Sequence, residues 1–375
     1  MGWVGQQNNR SSFFILPVLS TTARDIAHKA PFGSLLQGKA NVLKILIIRF
    51  SSIGDIVLTS PVIRCVKQQL PDVELHILTK KAYSGLFQNN PYVHKVHLLH
   101  NSLPETLKLL KAEKFDHLVD LHMNLRSLRV KLALGVNSTG FPKLNLKKYL
   151  LVRFKWDMMP RIHIVDRYFE AVKPLGVVND GFGLDYFVGN NKTIENEMLA
   201  EKFQRDFYAV VIGGNYFTKL LPSEKVREVI NLLDRRVVLV GGKEDAERGE
   251  AIAEGFGEKV WNACGKLSLD QSARLVENSQ AVLTNDTGMM HIAAAFKKPI
   301  VSVWGNTVPE LGMYPYLPQN PDRMVIVEVK NLSCRPCSKI GFSACPKGHF
   351  NCMNKLEASY IANALMQISV EEQST

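Results

Sequence analysis

The sequence lacks the long apolar runs that a transmembrane helix requires. No run of about 18 uncharged apolar residues occurs, and the longest apolar patches, such as Ile45 to Ile48, have the length of a strand. Cysteine is also scarce: six cysteines in 375 residues are too few for a disulfide scaffold, and Cys65 and Cys264 stand alone in apolar surroundings. These absences favour a globular protein of a reducing cytosol, and the length predicts two domains or three.

Two nucleotide-binding fingerprints are missing as well. No G-x-G-x-x-G follows a predicted strand, and no Walker G-x-x-x-x-G-K-[ST] occurs. The first 41 residues show no sustained periodicity, and their short apolar piece, Phe13 to Leu19, is not followed by a clear cleavage site. We therefore expect residues 1–41 to form a disordered or dispensable extension, with a signal peptide as the alternative.

Acidic residues are absent from Leu121 to Trp156, although this segment carries eight lysines and arginines. It lies within a wider range, Val42 to Pro160, that holds 18 Lys/Arg against 8 Asp/Glu, whereas the net charge of the whole chain is +11. Such a concentration of positive charge attracts phosphates, nucleic acid or an anionic membrane face. A solvated basic surface explains the same composition.

From Val42 onwards, strand-like and helix-like segments alternate, which predicts an α/β fold with two doubly wound, Rossmann-like parallel sheets. The turn-rich stretch Asn179 to Gly183 places the domain boundary at about 180–200. A helix is predicted from His163 to Leu175 and a last one from Lys355 to Ile368. The expected domains are an N-terminal one at 42–185, a C-terminal one at 200–352, and a C-terminal helix and tail at 353–375.

Two strand-to-helix turns carry polar residues suited to chemistry. In Ser51-Ser52-Ile53-Gly54-Asp55, the acid could act as a general base, although Ser and Asp are equally suited to cap the helix. In Thr284-Asn285-Asp286-Thr287-Gly288 with His291, the helix start favours a phosphate group. Gly213-Gly214-Asn215 and Lys219 lie on another turn of the same sheet edge, so together these residues could cradle a diphosphate, with Lys219 neutralising its charge without a metal.

The stretch Ile47 to Val57 with Pro61, followed about 230 residues later by Thr284 to His291, Ala293, Ala294, Pro299 and Gly305-Asn306-Thr307, resembles glycosyltransferase family 9, the ADP-heptose:lipopolysaccharide heptosyltransferases. The resemblance covers Val42 to about Ile368. It implies a GT-B architecture and an inverting, metal-independent transfer that requires no cofactor.

By this resemblance, Asp55 would take the proton of the acceptor hydroxyl and Lys219 would stabilise the leaving diphosphate. The donor would be bound by the backbone and side chains of Gly213, Gly214, Asn215, Gly265, Lys266, Asp286, Thr287, Gly288 and His291. Ser52, Gly54, Arg126 and Arg129 are the expected acceptor contacts. The acceptor would be an anionic lipopolysaccharide core, which implies a cytoplasmic protein in peripheral contact with the inner membrane and without a nucleic-acid partner.

The remaining motif is rich in cysteine. Cys334-x-x-Cys337 is followed by Cys345, His349 and Cys352, and four cysteines within 19 residues could hold a structural zinc ion, form disulfides or stay free. The triplet His94, His97 and His100 lies on a strand-like run and is predicted to be surface or core histidine rather than a site.

Two other functions fit parts of the sequence. A nucleotide-sugar epimerase or hydrolase of the same fold would act on the donor without an acceptor. A non-catalytic module that binds anionic lipid through the Leu121 to Trp156 segment would not need Asp55 at all.

Overall fold

The computed structural model describes residues 42–189, 203 and 206–370. The predicted extension at 1–41 and residues 371–375 of the predicted C-terminal helix and tail lie outside the described residues. Within them, the chain builds two parallel sheets, one of five strands and one of six. This confirms the predicted α/β class with two Rossmann-like sheets.

The first sheet has the strand order β3-β2-β1-β4-β5, and every neighbouring pair is parallel. Its strands are β1 (Leu43–Ile48), β2 (Val73–Lys80), β3 (Lys95–Leu99), β4 (His117–Asp120) and β5 (Asn137–Gly140). The helices of this half are α1 (Ile53–Val57), α2 (Ser60–Gln69), α3 (Gly85–Gln88), α4 (Leu103–Glu113), α5 (Leu125–Leu134), α6 (Asn145–Phe154) and α7 (Ile164–Phe169).

The second sheet has the order β11-β10-β9-β6-β7-β8 and is also parallel throughout. Its strands are β6 (Phe207–Val211), β7 (Arg236–Val240), β8 (Val260–Asn262), β9 (Ala281–Asn285), β10 (Ile300–Trp304) and β11 (Met324–Glu328). Its helices are α8 (Ser223–Leu232), α9 (Ala246–Ala253), α10 (Leu269–Asn278), α11 (Gly288–Ala295), α12 (Asn351–Asn354) and α13 (Ala358–Val370).

The apolar run of β1 sets the centre of the first sheet. Residues 45–48 are all fully buried, because helices cover a parallel sheet on both faces. Burial of each such side chain contributes about 1.5–3 kcal/mol to the hydrophobic term. In the second half, α13 packs its apolar stripe, including Ile361 and Leu365, into the same core as Val229 of α8 and Val303 of β10. Among the described helices, none combines the length and hydropathy needed to cross a bilayer.

One predicted helix is wrong in its extent. The segment predicted as continuous from His163 to Leu175 is α7, which ends at Phe169, and a separate 3₁₀ turn, Lys173–Leu175. Pro174 explains the break, because proline has no N–H for a helical hydrogen bond and disfavours helical geometry in the residue before it.

Candidate active site

Asp55 lies in the first turn of α1, just after the carboxyl end of β1. Its Oδ2 accepts hydrogen bonds from the Ser52 hydroxyl at 2.8 Å and from the Ser52 backbone N–H at 3.2 Å. Its Oδ1 lies 2.5 Å from Nη2 of Arg49, and 26 % of the side chain remains exposed. Asp55 therefore helps to begin the helix, as capping residues do, and still presents a carboxylate to solvent.

Arg49 holds that carboxylate in place. Its guanidinium donates to the backbone oxygens of Ser51 and Leu121 and to the Tyr168 hydroxyl. Because these partners hold the buried Arg49 side chain in one position, its positive charge has a fixed place beside the Asp55 carboxylate. The sequence contains Arg49 within the first motif, but its role depends on residues 72 and 119 positions away, which no local pattern reveals.

The environment keeps Asp55 ionised. Burial disfavours the carboxylate, but the charge of Arg49 and the hydrogen bonds from Ser52 outweigh it, so the pKa of Asp55 is lowered from its usual value. At neutral pH the group is therefore a proton acceptor. This is the protonation state that a general base needs.

Two lysines, Lys143 and Lys148, add positive charge around Asp55. Burial, together with the charges of Arg167 and Lys339, lowers the pKa of Lys148 to about 8, and Asp55 acts in the opposite direction. Two guanidinium nitrogens of Arg167, Nε and Nη1, are buried without a hydrogen-bond partner, while Nη2 donates to the backbone oxygen of Leu311. Mutual repulsion among buried cations is relieved by an anion, so this cluster favours an anionic ligand.

The acceptor role of Arg126 and Arg129 stays a prediction. Both are exposed on α5. Arg49, Lys143 and Lys148 are cations whose charges interact favourably with the negative charge of Asp55. Sequence reasoning missed Lys148 as a site residue because α6, on which it lies, was not predicted as a helix. It also missed Lys143, which lies in the connection before α6.

The second motif lies where β9 passes into α11. Lys219 Nζ is 2.6 Å from Asp286 Oδ2, and the Thr307 hydroxyl donates to the same oxygen at 2.9 Å. The structure thus brings together the predicted catalytic Lys219 and the predicted donor-binding Asp286, which are 67 positions apart in the sequence. Thr307 fixes the carboxylate from the turn after β10 and is a further site residue.

Buried polar atoms without protein partners surround the start of α11. They are Thr287 Oγ1, His291 Nδ1 and both side-chain polar atoms of Asn306. Buried polar groups in native proteins are normally hydrogen-bonded, so such atoms mark a place for a ligand. Burial lowers the pKa of His291 to about 4, and its ring is therefore neutral at pH 7. The free backbone N–H groups at this helix start suit a phosphate.

The two motifs meet through a glycine contact. A Cβ on Gly54 would lie 2.7 Å from His291 Cδ2 and 3.2 Å from the Cα of Gly288. A Cβ on Gly288 would lie 3.0 Å from Ile53 Cβ and 3.1 Å from the backbone nitrogen of Gly54. Both residues lack a side chain because the N-terminal turns of α1 and α11 touch through their backbones. This contact places Asp55 beside the helix start that suits a phosphate.

The glycine pair after β6 has two different environments. A Cβ on Gly214 would lie 3.1 Å from Thr287 Cγ2, so this turn borders the start of α11. Gly213 instead packs against Asp245, whose Oδ2 would lie 2.5 Å from a Cβ at this position. Asn215 is exposed. Of these three predicted donor residues, Gly214 is the one that borders Thr287.

The loop after β8 carries the predicted residues Gly265 and Lys266. Gly265 has a φ of +72°, which favours glycine, and its N–H donates to the Gly241 oxygen at 3.2 Å. Lys266 Nζ lies 3.3 Å from Glu250 Oε1 in an exposed ion pair that contributes little to stability.

The cysteine-rich segment is fastened to the site by Arg335, whose guanidinium donates to the backbone oxygens of Gly305 and Thr307. The cysteines are free, and Cys334 Sγ lies 4.0 Å from His349 Nε2. Among the described residues, the groups with three or more metal-binding atoms within 4.8 Å of one another contain no cysteine. A zinc ion at Cys334, Cys337, Cys345 and Cys352 remains a prediction.

Comparison with known proteins finds sequence and structural similarity to heptosyltransferases and to a family 9 glycosyl transferase. Lipopolysaccharide heptosyltransferase 1 of Campylobacter coli is 23% identical over 297 residues, which cover 71% of this chain and 84% of that protein. A family 9 glycosyl transferase from Veillonella parvula matches with a TM-score of 0.71 and 19% identity, over 89% of this chain and 99% of that one. E. coli heptosyltransferase WaaC with ADP matches with a TM-score of 0.63 and 22% identity, over 87% and 100%.

A more distant structural match is TibC, an iron-containing dodecameric heptosyltransferase in complex with ADP-D-beta-D-heptose. Its TM-score is 0.54 and its identity 12%, over 88% of this chain and 76% of that one. The sequence profile of glycosyltransferase family 9 (heptosyltransferase) matches residues 105–345. The chain therefore belongs to glycosyltransferase family 9 and is a glycosyltransferase with two Rossmann-like sheets, as its sequence motifs predict.

Proposed function

We propose that this chain transfers a heptose from ADP-heptose to the inner core of lipopolysaccharide with inversion at the anomeric carbon. The observation that carries the proposal is the glycine contact that sets the ionised Asp55 beside the start of α11. The names of the relatives, which are lipopolysaccharide heptosyltransferases, and the ADP bound to WaaC support the donor and acceptor classes.

In the proposed reaction, Asp55 accepts the proton of an acceptor hydroxyl while the oxygen of that hydroxyl attacks the anomeric carbon. The bond between that carbon and the phosphate oxygen breaks, and ADP leaves from the opposite side, so the configuration inverts. Lys219, with the N–H groups at Thr287 and Gly288, would stabilise the negative charge of the diphosphate. In other transferases a metal ion provides this stabilisation. Asp286, held by Thr307, would bind sugar hydroxyls.

The same proposal divides the substrates between the two halves. Residues 42–185 would bind the acceptor and residues 200–352 the donor, with the nucleotide base on the loop that carries Gly265 and Lys266. Acceptor anions would bind the cations near Asp55. Lys148 and Arg167 replace Arg126 and Arg129 as our first choice for these contacts, because their burial makes them more dependent on an anion.

A transfer assay tests the function directly. The protein is incubated with ADP-heptose and a heptose-free inner-core acceptor, and the product mass, the released ADP and the anomeric configuration are measured. We expect one heptose per acceptor, ADP release only when acceptor is present, and full activity after chelation of divalent metal. ADP or a new sugar isomer formed from donor alone would instead indicate a hydrolase or epimerase. Absence of any product would favour the lipid-binding module.

The pH dependence of acceptor use should report the charge of Lys148. Because its pKa is lowered to about 8, the amine is charged below that pH and loses its attraction for an anion as the pH rises through it. We expect kcat/KM for the acceptor to fall above about pH 8 in the wild type. Lys148→Arg should keep its activity there, since a guanidinium stays charged. Lys147→Arg is the matched control, and identical profiles for wild type and Lys148→Arg would contradict the assignment.

We further propose that α5 and α6 carry the peripheral contact with the cytoplasmic face of the inner membrane. Apolar side chains that are usually buried lie exposed here between cations: Leu125, Leu128, Leu132, Leu146, Tyr149 and Trp156 have 44–74 % of their surface exposed. Exposed apolar side chains amid lysines and arginines suit an anionic bilayer surface. Each nearby cation contributes about 1 kcal/mol to such binding.

Vesicle binding tests this surface. The full chain should co-sediment with vesicles of anionic phospholipid more strongly than with neutral ones, and less as salt increases. Leu128→Glu with Leu132→Glu should reduce binding about tenfold or more while ADP binding persists. Leu109→Glu changes an exposed leucine of α4 and should have little effect. Equal losses in both variants would count against a specific surface.

A further inference from the structure

A cluster of histidine and glutamate lies on the first sheet, outside the site described above. Glu74 and His76 are two residues apart on β2, so their side chains share one face, and His94 comes just before β3. Glu74 Oε2 lies 3.7 Å from His76 Nε2 and 3.9 Å from His94 Nε2. One metal-binding atom from each of the three side chains lies within 4.8 Å of the other two.

One member of this cluster is buried with an unused nitrogen. His76 is 1 % exposed, and its Nε2 has no hydrogen-bond partner. Its Nδ1 lies 2.9 Å from Nε2 of His97. A neutral imidazole has one N–H and one lone pair. If Nδ1–H donates to His97, the lone pair of Nε2 faces the Glu74 carboxylate with nothing between them.

We propose that Glu74, His76 and His94 bind a zinc ion, with a water molecule in the fourth position. Bonds of about 2.0–2.2 Å in a tetrahedral site place neighbouring ligand atoms about 3.4 Å apart. The observed separations from the carboxylate, 3.7 and 3.9 Å, are a few tenths of an ångström longer. The His94 side chain is 53 % exposed, which leaves the site open to solvent on one side. The hydrogen bond from His76 Nδ1 to His97 would orient the ligand ring.

Two neighbouring arrangements compete with this one. Lys44 Nζ lies 3.3 Å from Glu74 Oε2, but both side chains are partly exposed, so a zinc ion can displace the lysine. His76, His97 and Glu113 form a second set of metal-binding atoms. There the two histidine nitrogens are only 2.9 Å apart, closer than two zinc ligands, and they already share a hydrogen bond. The Glu74 set therefore fits the ion better.

The place of this cluster in the sheet indicates what the ion does. Glu74 pairs with Lys44 at the start of β1, whereas Asp55 follows the opposite end of that strand. The zinc ion would thus lie near the amino ends of the strands, whereas Asp55 follows their carboxyl ends. There it would join β2 to β3, the outermost strand of the sheet. Its effect is on stability, because an ion that binds only the folded state raises the unfolding temperature.

Metal content and thermal unfolding of the full chain test the proposal. After loading with zinc and extensive dialysis, Glu74→Gln and His94→Ala should each retain one zinc ion per chain less than the wild type, and zinc should no longer raise their unfolding temperature. Both positions are partly exposed, and circular dichroism checks that the variants fold. His100→Ala is the matched control, since it removes a partly exposed histidine that follows the other end of β3 and pairs with Glu105 at 3.5 Å.

Every other outcome overturns the proposal. Zinc held by the cysteine-rich segment would be retained equally by wild type, Glu74→Gln and His94→Ala. Loss of zinc in Glu113→Gln but not in Glu74→Gln would place the ion in the second set. Absence of zinc from the dialysed wild type would mean that the cluster binds no metal tightly.

Discussion

Replacing Asp55 with asparagine should lower kcat about 10²- to 10⁴-fold, the range that a positioned general base contributes. The amide keeps the size of the side chain and can still contact Ser52, but it cannot accept a proton at neutral pH. Binding of ADP-heptose should change little, because the proposed donor contacts lie on α11 and at Lys219 rather than at Asp55. Initial rates of product formation and titration calorimetry with the donor measure the two quantities separately.

The stability of the same variant provides a check on the cause. Since the folded state lowers the pKa of Asp55, its carboxylate stabilises the wild type above the pKa of the unfolded chain, and this contribution is lost as the pH falls through the folded-state pKa. The difference in unfolding free energy between wild type and Asp55→Asn should therefore be largest near neutral pH and shrink in acid. Asp157→Asn, which breaks an exposed pair with Arg161, is the control for rate. A rate within tenfold of wild type would leave Asp55 as a helix cap alone.

Gly54→Ala should be the most disruptive single-methyl change in the site. Alanine is the better helix former, by about 1 kcal/mol, so local propensity alone predicts stabilisation. The added Cβ would, however, lie 2.7 Å from the buried ring of His291 and 3.2 Å from the backbone of Gly288. Overpacking of this kind costs about 1–3 kcal/mol. Because Asp55 is the next residue, a shift of about 1 Å should also lower kcat/KM about 100-fold.

Gly85→Ala isolates the effect of crowding. Gly85 begins α3, and a Cβ there would meet no atom within 4 Å, so the variant should be as stable and active as the wild type or slightly more stable. Thermal unfolding and kcat/KM for both variants make the comparison. Full activity in Gly54→Ala would show that α1 and α11 separate easily, contrary to the packing described above.

The strands with strong apolar patterns were predictable, and those without were not. The run 43–50 predicts β1 because six of its eight residues are apolar and three of these are isoleucine, and the following serines and Asp55 signal a helix start. β5 was not predicted, since its sequence, Asn-Ser-Thr-Gly, has no apolar residue; it forms because it pairs with β4 at the sheet edge. α6 was not predicted either, as lysines and arginines interrupt its apolar positions.

The residues of the candidate site also fall into those that the sequence could predict and those that it could not. Asp55 and Asp286 could be found because each lies in a short motif at a strand-to-helix turn. Arg49, Thr307 and Lys148 could not be assigned, because their roles depend on contacts with residues far away in the sequence. Local patterns locate the turns that carry chemistry, whereas only the fold shows which charges surround them.

The contact between Gly54 and Gly288 also has a consequence for how the two sheets could rotate relative to one another. With no side chains between them, the two helix starts form a pivot, and points near a pivot move little when the parts it joins rotate. A rotation that opens the outer edges by several ångströms would leave Asp55 and the start of α11 nearly in place. In the proposed mechanism, such a rotation would admit and release substrates while Asp55 stays beside the start of α11.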